Sequence, residues 1–533
     1  MDAGIVGAIG HVVTLRLHTP TSHSHFGLDS FFGFRVHSHY IFPNVSLGDS
    51  DMEVDRSQGI RKLCRKIDTT DWKEIPVEYG SENLSIRVPP NCATIGMKEI
   101  PIVKGPRAAY EEALRRPIGC PPLAEIIRDK GRPAELTAAV TVSDITRPVP
   151  YRGPDGLLRP LLGRLEAEGI ARKNIKIVIG NGMHRPSTAA ERAEMFGEEI
   201  LGDYLFLDHD CEDPGSLTFI GTSATGGDVF VNTDFYRADL KIATGLVESH
   251  FMAGLSGGRK AVCPGLVDKR TIEKFHSPLF LESPFAQNLV LEKNPCHEEA
   301  LAITRTVGVD FIVNTTLDRN LRLTGVFAGE LEAANRAAGD LIRKYVSVPI
   351  EREYDIVLTH GGYVGRNHYQ AVKAAHNALP AVRKGGILIL ATDNRDEEPI
   401  GGPEYKSLLH MLKLQGTDQY MRMIEAPGWI FTKDQWEPEM WAKVFRKVGE
   451  ERFFYCTHTI PREDYCMIPG QCGLDLLENK RRDPLRAVRE MVENALRFAV
   501  ADYREKGIEP TVAFIREGPY LIPHLATGRE QGR

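Results

Sequence analysis

Short apolar runs rich in β-branched residues alternate with helical patterns from about Asp71 onward, and this alternation constrains the fold more than any other feature. Ala138–Ser143 (AAVTVS), Asn174–Gly180 (NIKIVIG) and Leu240–Thr244 are each predicted to be buried strands, with helical patterns between them. Buried strands that alternate with helices are typical of a mainly parallel sheet covered on both faces. The sequence therefore predicts an α/β fold.

A second α/β unit is predicted to follow, because Tyr354–Thr359 and Ile387–Ala391 have strand patterns and Gln370–Arg383 between them has a helical one. The proline and the charges of residues 348–353 (VPIERE) predict a hinge before this unit. Two α/β lobes can hold a site in the cleft between them, where closure excludes water. We therefore expect an N-terminal α/β cofactor-binding domain over residues 71–347 and a C-terminal α/β substrate-capping domain over residues 348–533.

The first 70 residues differ from the rest, with many Ser and Phe residues and no sustained helical or strand period. They contain six of the 17 histidines of the chain: His11, His18, His23, His25, His37 and His39. Closely spaced histidines can bind nickel or zinc, so a metal-handling tail is one interpretation. We favour the other interpretation, an N-terminal extension over residues 1–70 that is disordered or follows from a mis-called start codon.

Composition narrows the class of protein. The chain has 533 residues, enough for two or three domains, and its 42% hydrophobic and 26% charged residues are typical of a globular protein. The formal charge of -6 gives no basic surface for nucleic acid or an anionic membrane, and no apolar run is long enough to span a bilayer. The nine cysteines are dispersed without a CxxC pair, which indicates reduced thiols and a cytoplasmic protein rather than disulfides or structural zinc.

The segment Glu248–His276 (ESHFMAGLSGGRKAVCPGLVDKRTIEKFH) carries the strongest signal for a functional site. Gly257 and Gly258 allow the backbone there to approach a ligand closely with free amides. Side chains that can carry a proton, bind a metal or act as a nucleophile are close together in this segment. They are His250, Lys260 and His276.

Two common nucleotide-binding motifs do not explain this segment. A P-loop needs Gly directly before its Lys and Ser or Thr directly after it, whereas Arg259 and Ala261 flank Lys260. No GxGxxG with a downstream acid follows a predicted strand, so an ordinary NAD site is not indicated. His276 also has a structural interpretation, since a histidine is favourable near the C-terminal end of a helix.

Polar residues follow the first two predicted strands as well. Asp144, Thr146 and Arg147 in DITRP can orient a polar ligand, with Arg147 as a two-pronged clamp on a carboxylate or phosphate. His184 in GNGMHRP can act as an acid or a base. A capping aspartate in a turn and a structural histidine are the alternatives. Because ligands bind beyond the carboxyl ends of parallel strands, we expect these loops and the Glu248–His276 segment to converge on one crevice.

Three residues of the second unit can contact a substrate. Gln370 and Lys373 are one helical turn apart, so both face the same side of a helix and can hold a substrate carboxylate. An exposed helix face is the alternative interpretation. Trp436 in KDQWEPEM can form the wall of a pocket, although a tryptophan usually belongs to the core.

The motifs DITRP, NGMHRP, SHFMAGLSGGRK, KFH, GGY...NHYQAVK and DQW resemble, in this order, those of the nickel-dependent lactate racemase family, whose members racemise or epimerise 2-hydroxy acids. The resemblance covers about Asp71 to Pro523. The ten-residue step from His250 to Lys260 and the sixteen-residue step from there to His276 look like the spacing of the family. The ordered set of motifs carries the resemblance.

The resemblance implies a cofactor, the nickel pincer nucleotide, which is a Ni(II)-pyridinium-3,5-bisthiocarboxylate mononucleotide. In family members a lysine matching Lys260 holds it covalently through a thioamide, and a histidine matching His276 binds the nickel. Two histidines matching His184 and His250 exchange the hydroxyl proton on opposite faces of the substrate. The implied cofactor contacts are Asp144, Ile145, Thr146, Arg147, Gly257 and Gly258, and the implied substrate contacts are Arg147, Gln370, Lys373 and Trp436.

The chemistry implied by the resemblance suits these residue types. Removal of the α-proton from a 2-hydroxy acid is difficult because the carboxylate is already negative, whereas loss of a hydride from C2 gives a planar 2-keto acid. A histidine on each side serves both enantiomers, and each should titrate near the working pH. The chain departs from the family in having Val364 and Arg366 where a proline and an acid are expected. Arg366 predicts a substrate with a second carboxylate or further hydroxyl groups, unless its side chain faces solvent.

The sequence therefore predicts an isomerase that racemises or epimerises a 2-hydroxy acid by reversible hydride transfer from C2 to the nickel pincer nucleotide. Its expected partners are the small-molecule 2-hydroxy acid and the proteins that make the cofactor. Alternatives are a pincer-dependent oxidoreductase or sugar epimerase, and a non-catalytic nickel-binding or nucleotide-binding protein. The presence of both His184 and His250 argues against the last alternative, because binding alone would need neither.

Overall fold

The computed structural model describes residues 59–478 and 483–526. Residues 1–58 of the predicted N-terminal extension lie outside the described residues. Residues 59–64 are helical, with Ile60 and Cys64 buried in a core, which differs from the predicted disorder. The strands in chain order are β1 (Lys73–Tyr79), β2 (Glu82–Val88), β3 (Ala93–Ile95), β4 (Ala138–Ser143), β5 (Ile175–Gly180), β6 (Leu205–Asp208), β7 (Leu217–Thr222), β8 (Asp228–Asn232), β9 (Leu240–Leu246), β10 (Ser249–His250), β11 (Gly254–Leu255), β12 (Phe311–Leu317), β13 (Leu323–Gly329), β14 (Ser347–Ile350), β15 (Tyr354–His360), β16 (Val382–Ala391), β17 (Phe453–Cys456), β18 (Gln471–Cys472), β19 (Val512–Ile515) and β20 (Ile522–Leu525). The principal α-helices are α1 (Pro106–Arg115), α2 (Leu123–Lys130), α3 (Leu158–Ala167), α4 (Ala189–Phe196), α5 (Glu198–Asp203), α6 (Thr233–Arg237), α7 (Lys269–Phe275), α8 (Pro278–Leu281), α9 (Pro295–Val307), α10 (Leu331–Val346), α11 (His368–Ala378), α12 (Pro403–Gln415), α13 (Thr417–Ile424), α14 (Trp436–Val448) and α15 (Pro484–Glu505).

The first sheet has six strands in the spatial order β13-β12-β9-β4-β5-β6. Its neighbouring strands are parallel except at one edge, where β13 runs antiparallel to β12. The predicted strand Ala138–Ser143 is β4, and five of its six residues are buried. A strand buried on both faces has no solvent-facing positions to fill with polar residues, which explains its continuous apolar run.

The second sheet has six strands in the order β18-β17-β16-β15-β19-β3, and all of them are parallel. Its strand β3 precedes the whole first sheet in the chain, yet it pairs with β19 in the register Ile95 to Ile515. A short parallel pair, β14 with β20, lies apart from both sheets. The two mainly parallel sheets confirm the predicted α/β class, and the predicted domain boundary at residue 348 stays a prediction.

Consecutive residues of one strand enter cores on opposite faces of the second sheet. In β16, Leu388 and Leu390 pack into a core shared with α11 and α14, whereas Ile387 and Ile389 pack into a core shared with α15, β1 and β2. Side chains alternate between the two faces along a strand, so this sheet is covered on both sides. Full burial of each such side chain stabilises the fold by about 1.5–3 kcal/mol.

The helix predicted over Gln370–Arg383 is shorter in the structure. It is α11, which ends at Ala378, and a 3-10 turn over Leu379–Ala381 follows it. Pro380 lies in that turn, and proline cannot continue an α-helix because it lacks the N–H group and clashes with the preceding turn. The next strand, β16, therefore begins at Val382, five residues before the predicted start at residue 387.

Two further properties concern the described part of the chain as a whole. Its helices include none that is both long enough and apolar enough to cross a membrane. All nine cysteines lie within it, and each of them is a free thiol. Most of these thiols are buried in the cores.

Candidate active site

Three neighbouring strands of the first sheet bring the polar loops to one edge. β9, β4 and β5 are adjacent and parallel, so their carboxyl ends lie side by side. Residues 144–147 follow β4, residues 181–184 follow β5, and residues 247–250 follow β9. The loops that carry the predicted site residues of the first lobe therefore lie together.

His184 and Asp144 form a hydrogen-bonded pair across two of these loops. His184 Nδ1 lies 2.6 Å from Asp144 Oδ2, and the Thr146 hydroxyl donates to Asp144 Oδ1 at 2.5 Å. Burial raises the pKa of Asp144, but the hydrogen bonds from His184 and Thr146 and the charge of Arg147 outweigh it, so the net pKa lies below its usual value. The ionised carboxylate accepts Nδ1–H, which leaves a lone pair on Nε2 of the half-exposed His184. Ile145, between these residues, is exposed.

Arg147 pairs with a residue that the sequence analysis did not select. Its Nη1 donates to Glu248 Oε1 at 2.8 Å, and the two side chains are 30% and 37% exposed. The charge of Arg147 also contributes to lowering the pKa of His250, Lys260 and Lys373. The guanidinium group therefore lies among side chains from both lobes.

His250 is presented by a short hairpin that the sequence analysis did not predict. β10 and β11 pair His250 with Gly254, and in the turn between them the amides of Met252 and Ala253 donate to His250 Nδ1 at 3.3 and 3.2 Å. A nitrogen that accepts these N–H groups carries no proton, so neutral His250 has its proton on Nε2. Burial, and then the charge of Lys260, hold the pKa of His250 well below its usual value.

The loop before Lys260 depends on two glycines. Gly257 and Gly258 have φ angles of 68° and 51°, in the left-handed region, and a Cβ on Gly257 would lie 2.8 Å from a valine methyl group. Lys260 Nζ lies 4.7 Å from the centroid of the Phe275 ring. Burial lowers the pKa of Lys260 to about 7, with a further contribution from two nearby arginines. Its amine is therefore available in the neutral, nucleophilic form near neutral pH.

His276 follows α7 and keeps one ring nitrogen free. Its Nδ1–H donates to the carbonyl oxygen of Ile272 at 2.9 Å, which leaves the lone pair on Nε2, the arrangement that a metal-binding histidine needs. Burial lowers the pKa of His276 to about 3, and the charge of Lys260 adds to this. The centroid of the Trp436 ring, at the start of α14, lies 4.5 Å from that of the His276 ring.

The second lobe contributes α11 and α14 to the site. Gln370 and Lys373 lie one turn apart on α11, and both are partly exposed. Burial, and then the charge of Arg147, lower the pKa of Lys373. Trp436 Nε1 donates to the Tyr369 hydroxyl at 2.8 Å, which fixes the indole ring over the histidine.

Glu437 is a further charged residue of this region that no sequence motif indicated. It follows Trp436 directly and is 4% exposed, and burial raises its pKa although the charge of Lys373 opposes this. Its Oε2 atom is buried without a hydrogen-bond partner. Neither Glu437 nor Glu248 belongs to a motif with a fixed spacing. The available signal was their position, directly beside Trp436 and two residues before His250.

Arg366 forms a surface ion pair. Its Nε donates to Asp396 Oδ1 at 2.8 Å, and its side chain is 53% exposed. The other carboxylate oxygen of Asp396 accepts from Asn367, the residue that caps α11. The charge of Arg366 is therefore compensated by Asp396, which supports the interpretation that this side chain faces solvent.

Protein side chains alone do not form a metal site here. Within residues 59–478 and 483–526, no group of three or more His, Cys, Asp or Glu side chains is arranged to hold a metal ion. A metal bound to Nε2 of His276 would therefore take its other ligands from a bound molecule. Lys260, whose charge acts on His276, offers an anchor for such a molecule.

Comparison with known proteins gives the same family in both halves of the chain. The model of the lactate racemase N-terminal domain matches residues 79–288, and that of the lactate racemase C-terminal domain matches residues 350–455. The lactate racemase of Lactiplantibacillus plantarum is 32% identical over 377 residues, which are 70% of this chain and 84% of that protein. The lactate racemase of Thermoanaerobacterium thermosaccharolyticum is 30% identical over an alignment of 383 residues, which covers 69% of this chain and 85% of that protein.

Solved structures show the corresponding similarity of fold. The lactate racemase apoprotein from Thermoanaerobacterium thermosaccharolyticum matches with a TM-score of 0.70 at 25% identity, over 85% of this chain and 100% of that one. A protein from Thermotoga maritima matches with a TM-score of 0.55 at 17% identity, over 79% of this chain and 99% of that one, and this second likeness concerns the fold alone.

Proposed function

The chain belongs to the lactate racemase family, and from that membership we propose that it racemises a 2-hydroxy acid such as lactate with the nickel pincer nucleotide as its cofactor. One observation carries the proposal. A buried lysine whose pKa is lowered to about 7, a histidine with a free ring nitrogen and two further histidines lie together with Arg147 from the first lobe and Lys373 from the second. This set supplies an anchor, a metal ligand, proton carriers and a carboxylate clamp.

Lys260 and His276 would hold the cofactor. The neutral amine of Lys260 is the form that makes a thioamide bond, and Nε2 of His276 is the free donor for nickel. Gly257 and Gly258 place backbone without side chains next to the anchor. When bound, the group supplies an acceptor for the hydride that leaves C2 of the substrate.

Arg147 and Lys373 would bind the carboxylate of the substrate. The planar guanidinium group of Arg147 can donate two parallel hydrogen bonds, and Glu248 holds it in place from the other side. Gln370, on the same helix as Lys373, adds a neutral hydrogen-bonding group. A fixed carboxylate allows C2 to become planar and to present either face without leaving the site.

His184 would take the hydroxyl proton as C2 becomes planar. Its Nε2 lone pair is the acceptor, and the ionised Asp144 stabilises the imidazolium that forms. We assign His250 to the other face of the substrate, where its Nε2 meets the C2 oxygen of the opposite enantiomer. Trp436, whose ring lies against that of His276, would form a wall of the pocket.

We place the enzyme in the cytoplasm, because nine dispersed free cysteines suit a reducing compartment. Its partners there would be the proteins that make the cofactor and attach it to Lys260. The substrate is a small 2-hydroxy acid, and the exposed ion pair of Arg366 gives no reason to require a second carboxylate.

The cofactor is tested by peptide mass spectrometry on protein produced together with the cofactor-making proteins, paired with a nickel assay on the same sample. We expect a nickel-dependent mass increase on the peptide that contains Lys260. Lys260→Ala should abolish it, whereas Lys269→Ala should keep it, since that exposed lysine pairs with Glu212. An unmodified Lys260, in a preparation where a known racemase is loaded, refutes the cofactor proposal.

The reaction is tested on the loaded protein with each enantiomer of lactate, and then of malate and of sugar acids. Either enantiomer of a true substrate should approach the same equal mixture. Stoichiometric accumulation of the 2-keto acid, without the opposite enantiomer, would refute racemisation and indicate the oxidoreductase alternative.

A further inference from the structure

Arg259 is a fully buried cation whose hydrogen-bond acceptors are all neutral. It is 2% exposed. Its Nη2 donates to the carbonyl oxygens of Ala253 and Leu255 at 2.8 and 2.9 Å, and its Nη1 donates to Asn335 Oδ1 at 3.1 Å. Burial of a charge is costly even when it is hydrogen-bonded, so a neutral side chain would fill this position with less penalty. The hydrogen bonds of its guanidinium group indicate why an arginine occupies this position.

Two of these contacts are to the hairpin that carries His250. Ala253 accepts from Arg259 through its carbonyl oxygen, while its N–H donates to His250 Nδ1 at 3.2 Å. The neighbouring amide of Met252 donates to the same nitrogen at 3.3 Å. Arg259 thus fixes the turn whose amides face His250 Nδ1.

The other contacts hold Arg259 itself in place. Asn335, which accepts from the guanidinium group, donates through Nδ2 to the carbonyl oxygen of Ser256 at 3.1 Å. The carbonyl oxygen of Arg259 accepts from the Thr304 hydroxyl at 3.2 Å. Because Lys260 is the next residue, the same anchor sets the relative positions of Lys260 and His250.

We propose that Arg259 is a positioning residue that holds His250 as the tautomer with its proton on Nε2. His250 then offers a hydrogen-bond donor towards the substrate, whereas His184, whose Nδ1–H is bound by Asp144, offers an acceptor. The two histidines are therefore not interchangeable in the resting protein. For the enantiomer whose hydroxyl group faces His250, the ring proton must first move from Nε2 to Nδ1, and for this the amides of Met252 and Ala253 must release Nδ1. Only then does Nε2 have a lone pair that can take the hydroxyl proton. This last consequence rests on the proposed function, while the tautomer itself does not.

The tautomer is measured by NMR of the histidine ring nitrogens in the full-length labelled protein, before and after cofactor loading, with His250→Gln to assign the signals. We expect the wild type to show an unprotonated Nδ1 and a protonated Nε2 for His250. In Arg259→Lys, which keeps the charge but loses the forked geometry, we expect a mixture of tautomers. A protonated Nδ1 in the wild type overturns the proposal without reference to any variant.

Activity gives the second measurement. Arg259→Lys should lower kcat with either enantiomer by about tenfold or more, as misplaced supporting residues typically do. KM should stay within about twofold, because Arg147 and Lys373 are unchanged. Arg336→Lys is the matched control, since that arginine is 52% exposed and pairs with Glu292 at the surface. Nickel content and the thermal unfolding midpoint are measured for each variant.

Asn335→Ala covers the case in which Arg259→Lys does not fold. It removes one acceptor of Arg259 and should move the tautomer in the same direction to a smaller extent. If the folded variants keep the wild-type tautomer of His250, the positioning role is wrong. If the tautomer is as expected but no substrate is racemised, the positioning role stands and the proposed function fails.

Discussion

Replacement of Asp144 by Asn tests His184 as the base, because it changes a charge and the direction of a hydrogen bond with little change of volume. The hydroxyl and the amide of Thr146 both donate to Asp144 Oδ1, so the oxygen of the new side chain should occupy that position. Its NH₂ group then faces His184 Nδ1 and donates to it. This moves the imidazole proton to Nε2 and removes the lone pair that would take the hydroxyl proton.

The expected fall in kcat depends on the rate acceleration that a general base provides and on the solvent exposure of His184. A positioned general base typically accelerates a reaction by about 10²–10⁴-fold, and a tenfold change is about 1.4 kcal/mol of activation free energy. The side chain of His184 is 51% exposed, so water can accept the proton in part. We therefore expect the lower end of the range, a fall in kcat of about 10²-fold or about 2.7 kcal/mol.

The assay follows each enantiomer of lactate with stereospecific dehydrogenases, on preparations of equal nickel content. Asp239→Asn is the matched control, since Asp239 accepts hydrogen bonds from the amide and the hydroxyl of Thr137 at the amino ends of β4 and β9, away from the site. It should change kcat by less than about twofold. A kcat for Asp144→Asn within about threefold of the wild type would show that His184 does not act as the base.

Three further changes have defined outcomes. Lys373→Met should lower kcat/KM by roughly 10- to 150-fold, mainly through KM, because a hydrogen bond to a charged group is worth about 1.5–3 kcal/mol; an unchanged KM would remove Lys373 from the carboxylate site. In unloaded protein, the rate of acylation of Lys260, followed by mass spectrometry, should rise as pH increases through about 7. The reason is that the pKa of its amine is lowered to about 7 and only the deprotonated amine reacts. A rise only near pH 10, as for ordinary lysines, would contradict this. Arg366→Ala should change the free energy of unfolding by less than about 1 kcal/mol, as expected for an exposed ion pair with Asp396, and should leave the relative activities on lactate, malate and sugar acids unchanged.

The class of fold could be predicted from the sequence because strands that are buried on both faces of a sheet have continuous apolar runs. Ala138–Ser143 is observed with the predicted bounds, and Ile175–Gly180 differs from the prediction by one residue. The antiparallel edge strand β13 and the assignment of β3 to the second sheet were not predicted, since short edge strands carry little periodicity. Which strands pair at an edge depends on contacts between distant parts of the chain.

The same limit applies to the site. The loops after parallel strands could be placed together from sequence, because the topology of such sheets brings their carboxyl ends to one edge. The hydrogen bond between His184 and Asp144 joins residues 40 positions apart, and the turn that faces His250 Nδ1 belongs to a hairpin whose two strands have two residues each. Glu437 becomes visible as a site residue only once α14 is packed against α11. Such partners follow from packing, which no local pattern encodes.

The pairing of β3 with β19 has a consequence for how the chain is made. Ile95 and Ile515 are in register, so 420 residues separate two strands that lie side by side. At about 5–20 residues per second, roughly 20–80 s of synthesis pass between the appearance of the first strand and that of the second. All strands of the first sheet are synthesised within this interval, whereas β3 has no partner strand until β19 has been made. The second sheet is therefore completed only after nearly the whole chain has been synthesised.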